Sequence, residues 1–333
     1  MSKSVFTYPI RQRSKITWLW MLIVVALVLL LLRRQHRVDQ DIADSEAPTP
    51  TPFNRTLWDA KSIPRKFVYP KCPASTSSKR NVDITTSLKK TLDIPDGPPP
   101  GKKELCSMSF EDLELYYHTY LSTVQSPCKR SVRIGNTLDG GWDVCGEEAR
   151  LERNSCLVYS FGIQFDFSFD DEIASVFGCE VHSFDPSMHQ EDHRRSQSVF
   201  FHATGIADYS GVSNDMAGWK MRTYQAIREE LQHVSRTPDV IKMDIEGWEW
   251  NALPDMLKSS YLSGVKQLLV EFHSNTDSHV KEYWVHKLSI LRDLYFEGYR
   301  VFWVGRNMMC TYTSPVLHRL LYGCYEVSFV RVN

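Results

Sequence analysis

Residues 157–185 read LVYSFGIQFDFSFDDEIASVFGCEVHSFD. An apolar run, Leu157 to Phe161, precedes a loop opened by Gly162. Ser168, with Asp171 three residues on, then has the spacing of a capping-box helix start, and Gly178 marks the stop. A second apolar run follows, Glu180 to Phe184. Strand, helix and strand within thirty residues predict one crossover unit of a parallel sheet. Reading outward, Val199 to Ala203, Val240 to Met243 and Gln267 to Phe272 give three more strands. Val280, Trp284, Leu288, Leu291 and Leu294 share one helical face, closed by Gly298. Arg300 to Val304 and Glu326 to Val330 end the chain as strands. No helix-length pattern separates those two, so an antiparallel pair at a sheet edge is expected. The fold class is α/β, a doubly wound, mostly parallel sheet.

In such sheets ligands bind beyond the carboxyl ends of the strands. The first strand ends in Ser160, Phe161 and Gly162. The second ends in Asp185, 23 residues after Gly162, the spacing at which an acid reaches the ribose hydroxyls of a nucleotide cofactor. The third runs into Thr204, Gly205, Ile206, Ala207 and Asp208. The fourth supplies Asp244, Glu246, Gly247 and Glu249, and the fifth Glu271 and His273. Acids at three strand ends therefore line one rim. Each residue also has a plainer reading. Asp185 before Pro186 turns a chain, Gly162 fits any loop, Asp244 and Glu246 can cap a helix, and His273 can be a satisfied loop histidine. No G-x-G-x-x-G follows the first strand and no P-loop occurs, so a cofactor without a pyrophosphate suits the rim better.

The segments VYSFGIQFDFSFD (158–170), VHSFDPS (181–187), PDVIKMDIEGWEW (238–250) and LLVEFH (268–273) together resemble the methyltransferase domain-22 family, relatives of FkbM-type methyltransferases. RIGNTLDGGWDVC (133–145) is similar to the family segment that precedes the first strand. The resemblance extends from about Cys128 to Asn333. It implies a class I S-adenosylmethionine fold of seven strands, the seventh antiparallel. By it, Ser160, Phe161 and Gly162 approach the methionine and ribose of the cofactor. Asp185 binds the ribose hydroxyls, Ile206 or Asp208 borders the adenine, and Asp244 sits beside the transferring methyl. Ser160 stands where the wider class has an acid, and the second glycine of its loop is missing. With a hydroxyl acceptor, His273 is the expected general base, with Asp244 and Glu246 beside it. The weaker reading is a divalent ion, Mn²⁺ rather than Zn²⁺, held by Asp244, Glu246, Glu271 and His273.

The 333-residue chain carries 39 basic and 40 acidic side chains, but unevenly. Lys3, Arg11, Arg13, Lys15, Arg33, Arg34 and Arg37 give the first 38 residues a charge of +7 with no acid. Taking 7 from the net −1 leaves −8 for the rest. A folded part of that sign offers no attraction to phosphate backbones, so no nucleic-acid partner is expected. Ile16 to Leu32 is free of charge and spans roughly 26 Å as a helix, close to a thin bilayer. Arginines rather than a small-residue cleavage site follow it, which favours an uncleaved anchor over a signal peptide. Four bases precede the run and three follow. With the sequon at Asn54, this predicts a single-pass type II protein of the Golgi or endoplasmic reticulum: cytoplasmic tail 1–15, transmembrane anchor 16–32, luminal stem 33–104 and luminal domain 105–333. Ten of the 16 prolines fall between Pro48 and Pro100, as in an extended tether. Eight cysteines without a C-x-x-C pair suit luminal disulfides, with buried free thiols the alternative.

The expected function is methyl transfer from S-adenosylmethionine to an unknown glycan or secreted-protein hydroxyl. A luminal glycosyltransferase is the rival enzyme, though residues 105–333 lack an Asp-x-Asp. A non-catalytic binding module that kept the fold is the rival of another class.

Overall fold

A computed structural model describes residues 69–72 and 97–332, apart from 138, 148–150, 214–217, 259 and 275–277. The anchor at 16–32, the tail before it, the sequon at 54–56 and most of the stem lie outside the described residues. Among the described residues no helix is long and apolar enough to cross a membrane.

Helices α1 (Lys102–Ser107) and α2 (Phe110–Leu121) open the domain, so the expected boundary at 104/105 falls inside α1. An antiparallel hairpin follows, β1 (Ser131–Ile134) with β2 (Trp142–Cys145). The alternating part comprises β3 (Leu157–Phe161), α3 (Ser168–Phe177), β4 (Glu180–Phe184), the two-residue β5 (His193–Arg194) and β6 (Val199–His202). Three short strands, β7 (Gly205–Ile206), β8 (Gly211–Val212) and β9 (Lys220–Arg222), form a sheet of their own before α4 (Tyr224–Glu230). Then come β10 (Val240–Met243), α5 (Glu249–Lys258), β11 (Gln267–His273), α6 (Lys281–Phe296) and β12 (Tyr299–Arg306). A hairpin of β13 (Thr311–Thr313) and β14 (Leu320–Tyr322) leads into β15 (Cys324–Arg331).

The main sheet has the order β12-β15-β11-β10-β3-β4-β6-β5. Strands β11, β10, β3, β4 and β6 run parallel, while β15 enters antiparallel between β11 and β12. The reversed strand thus lies one place in from the edge, and β5 adds an eighth strand antiparallel to β6. The expected capping box at Ser168 is not formed. Asp166 Oδ1 accepts from the Ser168 amide at 2.8 Å, and Ser168 Oγ instead accepts from the Asn136 amide at 3.2 Å. Asp166, one residue before the N-cap position held by Phe167, reaches forward to the first helical N–H and takes over the capping bond. Gly178 closes α3 in the left-handed conformation, as its position foretold.

Period-two alternation sorts the strands between two cores. Tyr159, Phe161, Ile241, Met243, Leu268, Val270 and Phe272 pack on the face covered by α2, α5 and α6. Val158, Val181, Val199, Val240 and Leu269 face α3 and the β1–β2 hairpin. The same alternation carries Ser160, Lys242, Glu271 and Glu326 to the hairpin side. Gln267 anchors the hairpin: its Oε1 accepts from the Cys145 amide at 2.8 Å and its Nε2 donates to the Cys145 carbonyl at 3.0 Å. All eight cysteines are paired, Cys72–Cys106, Cys128–Cys145, Cys156–Cys179 and Cys310–Cys324.

Candidate active site

The ends of β3, β4 and β10 meet at one point. Gly162 has φ +72°, and a Cβ there would lie 1.6 Å from the Asp244 carbonyl oxygen. No side chain fits, so the glycine is required by close approach as well as by φ. Its amide donates to the Phe184 carbonyl at 2.8 Å, and the Asp244 amide to Phe161 at 3.1 Å. Beneath the loop, the buried Lys242 Nζ donates to the Gly162 carbonyl at 2.6 Å and to Phe161 at 3.3 Å. The same ammonium acts on Asp170, whose carboxyl burial pushes up to about 6 against the Ser183 hydrogen bond and the Lys242 charge.

Asp185 is 5% exposed and bridges two loops. Its Oδ2 accepts from the Gln164 amide at 2.8 Å, and its Oδ1 from the Ser187 amide at 2.8 Å and the Ser187 hydroxyl at 2.6 Å. The turning role and the binding role of this acid are therefore compatible only through its remaining lone pairs. Ile206 lies in β7, in contact with the larger core, and Asp208 is exposed two residues on. Ile206 belongs to the small sheet and Asp208 to the loop between its β7 and β8, because β6 of the main sheet stops at His202.

Across the rim, acids surround His273. Its Nδ1 lies 3.0 Å from Glu249 Oε1. Its Nε2 lies 3.5 Å from Glu246, 3.7 Å from Glu271 and 3.9 Å from Asp244. The turn from Asp244 to Glu249 folds around the fully buried Glu249, whose Oε1 also accepts from the amides of Ile245 (3.1 Å) and Gly247 (3.3 Å). Glu246, at φ +56°, is the exposed corner of that turn. Burial alone would lower the His273 pKa. The Glu249 charge and hydrogen bond, then Glu271 and Asp244, overcome it and hold the ring well above the usual histidine range. Burial, reinforced by the Asp244 charge, pushes Glu271 upward, and Asn307 Nδ2 donates to it at 3.0 Å.

His273 faces four carboxylates, and Asp244, about a quarter exposed, stands beside it as a second proton acceptor open to solvent. Asp244, Glu246 and His273 also place ligand atoms within 4.8 Å of one another.

Residues 106–313, more than half of the chain, match a family model described as a methyltransferase domain. The chain belongs to the methyltransferase domain-22 family. It is similar to the rat protein named probable methyltransferase-like protein 24, 28% identical over 252 residues that cover 68% of this chain and 67% of the relative. It is likewise 28% identical to the human protein of the same name, over 205 residues covering 55% of this chain and 54% of the relative. The chain thus spans only about half the length of the human protein in that match.

Two residues of the family segment, Arg133 and Asp143, turn out to reach the site. Arg133 in β1 pairs with Asp143 at 3.0 Å and reaches Glu326 at 3.5 Å, and Glu326 stands opposite Glu271 in the β11–β15 register. Burial raises Glu326 to about 7 despite Arg133. Lys287 of α6, 1% exposed, donates to the His273 carbonyl at 2.6 Å and lies 3.9 Å from the centre of the Trp250 ring. Sequence reading passed over Arg133, Lys242, Lys287 and Glu326. The one available signal was a lysine interrupting an otherwise apolar strand, VIKM.

Proposed function

We propose that this protein is an S-adenosylmethionine-dependent methyltransferase acting on a hydroxyl acceptor. The observation that carries the reading is the sheet order, with β15 reversed inside one edge, combined with the meeting of Gly162, Asp185 and Asp244 at the carboxyl ends of adjacent parallel strands. The donor set suits the cofactor: a rim of carboxylates favours a cationic sulfonium, and a single glycine supplies no nest of bare amides for a pyrophosphate. When bound, that cofactor supplies an electrophilic methyl group.

The chain's own residues then divide the work. Ser160, Phe161 and Gly162 form the floor of the cofactor loop, and Lys242 holds that loop by its carbonyls. Asp185 sets the loop's height and offers its free lone pairs to ribose hydroxyls. Asp244 accepts the acceptor's proton. His273, held by Glu249 at 3.0 Å, lies beside Asp244 and keeps it oriented among the rim acids. Positioning of the acceptor supplies much of the remaining rate.

The charge-free run at 16–32, the basic flanks and four disulfides, which persist in oxidising compartments, support a type II anchor with the domain in the Golgi or endoplasmic-reticulum lumen. That location favours a glycan or secreted-protein acceptor.

Calorimetric titration of S-adenosylmethionine into the full chain tests the reading. Binding in the micromolar range, lost in Asp185→Ala, is expected. Heat with a UDP-sugar and Mn²⁺ alone would transfer the proposal to a glycosyltransferase. Cofactor binding without turnover on any hydroxyl library would leave the binding-module reading, for which the occupied oxygens of Asp185 are the supporting observation.

A further inference from the structure

At the opposite end of β4, far from the acidic rim, lies a second convergence of ligand groups. Among the described residues four groups place three ligand atoms within 4.8 Å of one another. Two of them use sulfurs already committed to Cys128–Cys145 and Cys310–Cys324. The third is the Asp244, Glu246 and His273 set described above. The fourth is Glu180, His182 and His233. Glu180 is the first residue of β4, five before Asp185 and so about 16 Å from the cofactor rim.

Both imidazoles turn Nε2 onto one carboxylate oxygen. His182 Nε2 lies 3.1 Å from Glu180 Oε1, and His233 Nε2 lies 3.6 Å from it. A tetrahedral zinc ion with bonds of about 2.0–2.1 Å needs ligand atoms roughly 3.3 Å apart, which these separations bracket. The far nitrogens are also held. His182 Nδ1 is 2.8 Å from His202 Nε2, and His233 Nδ1 is 2.8 Å from the Tyr159 hydroxyl. Outer partners on the far ring nitrogen are what orient metal-binding histidines.

The hydrogen count points the same way. His202 Nδ1 lies 3.5 Å from Asp192, extending a chain of three contacts, Glu180–His182–His202–Asp192. Two neutral rings bring only two N–H protons to it. One of the three contacts therefore lacks a proton: the 3.5 Å approach of His202 to Asp192 or the 3.1 Å approach of His182 to Glu180, and in the second case a bare Nε2 lone pair faces the carboxylate. Two acceptors 3.1 Å apart repel unless a cation stands beside them. Arg236 Nη1 is 2.9 Å from the same oxygen, so a metal ion has to displace or share the carboxylate with that guanidinium.

We propose that Glu180, His182 and His233 form a zinc site that clamps the segment after α4 to the amino-terminal end of β4. Two imidazoles and one carboxylate are a zinc donor set that leaves a fourth position open. A cavity of about 210 Å³ lined in part by Glu180, Phe200 and Arg236 adjoins the cluster and can admit water to that position. The site is structural and independent of the methyl-transfer reading.

The test uses the full chain, stripped with a chelator and equilibrated with Zn²⁺ alone, with bound metal counted by elemental mass spectrometry. One zinc per chain is expected, retained in His273→Ala and lost in His233→Ala. Tyr159→Phe, which keeps the ring in the core and removes only the outer partner, should weaken affinity about ten-fold. Arg236→Met, which removes the competing cation, should strengthen it. Wild-type protein that binds no zinc overturns the proposal. So does a stoichiometry that survives His233→Ala, or an affinity unmoved by both Tyr159→Phe and Arg236→Met.

Discussion

At the ends of β3 and β4, acids and donors are matched. Asp185 accepts from two amides and a hydroxyl, and Lys242 meets two carbonyls. At the ends of β10 and β11 the count is unequal: Asp244, Glu246, Glu249 and Glu271 surround the single imidazole of His273. The first half is built to hold a shape, and its polar groups are consumed in doing so. The second half gathers an excess of negative charge around a buried ring, and Glu271 and His273 there are displaced upward from their ordinary proton affinities. Perturbed groups of that kind gather where chemistry is done. In the proposed reaction one half of the rim positions and the other reacts.

The contrast predicts different failures. The largest is chemical: Asp244→Asn should lower kcat about 10²–10⁴-fold, the scale of a lost proton acceptor, while calorimetry finds the cofactor affinity changed only a few-fold. Equal losses in both would erase the division of labour. Next, Gly162→Ala in the positioning half should destabilise the fold by about 3 kcal/mol, since its Cβ would lie 1.6 Å from the Asp244 carbonyl oxygen and the backbone must move. Urea unfolding with an unshifted midpoint would show that the loop yields freely.

A third prediction concerns pH. The folded pKa values of His273 and Glu271 both stand above their ordinary values of 6.5 and 4.5, so the folded state binds more protons than the unfolded one. Their contribution is fully present below those ordinary values and is lost as pH rises through the folded ones. The contribution of these two groups should therefore decline from weakly acidic to alkaline pH, each proton adding about 1.4 kcal/mol per pH unit at most, while His118, His182 and His286, held low by burial, slope the other way below 6.5. Glu249→Gln removes the largest opposing charge from His273. It should lower the ring's pKa, measurable by NMR titration, and flatten the decline above neutrality. A ring that titrates unchanged would mean that Glu249 is only a turn former. The smallest effect belongs to Ser187→Ala, which deletes one neutral donor to Asp185 and should cost about 1 kcal/mol.

Strands β3, β4 and β10 were legible to the residue because a short apolar run bounded by turn residues has few other uses. The α6 stripe of Trp284, Leu288, Leu291 and Leu294 was legible because it repeats at helical period and all four are buried. The rim acids could be read as strand ends, since topology makes that position functional. Their protonation could not, because it depends on distances across strands. Glu271 opposes Glu326, 55 residues away, only through the β11–β15 register. Arg133 escaped notice for the same reason: its partners lie 10 and 193 residues on. The cap of α3 was misplaced because Ser168 and Asp166 both fit a start signal, and contact with Asn136 decided between them. His182 and His233 are 51 positions apart in the chain, on a strand and in a segment after a helix, and no spacing rule joins them.

The Cys72–Cys106 bond has a consequence for how the protein is released from whatever precedes it. Tyr69 packs edge-on against Tyr283 at 5.7 Å, and the disulfide fastens its neighbour to α1. Residues 73–105 therefore close a covalent ring on the domain. A protease that cuts once inside that ring frees nothing: the fragments stay joined until the bond is reduced, and run apart on a gel only with reductant. With the bond intact, separating the domain from the residues before it requires a cut before residue 72, whatever the abundance of cleavable sites after it.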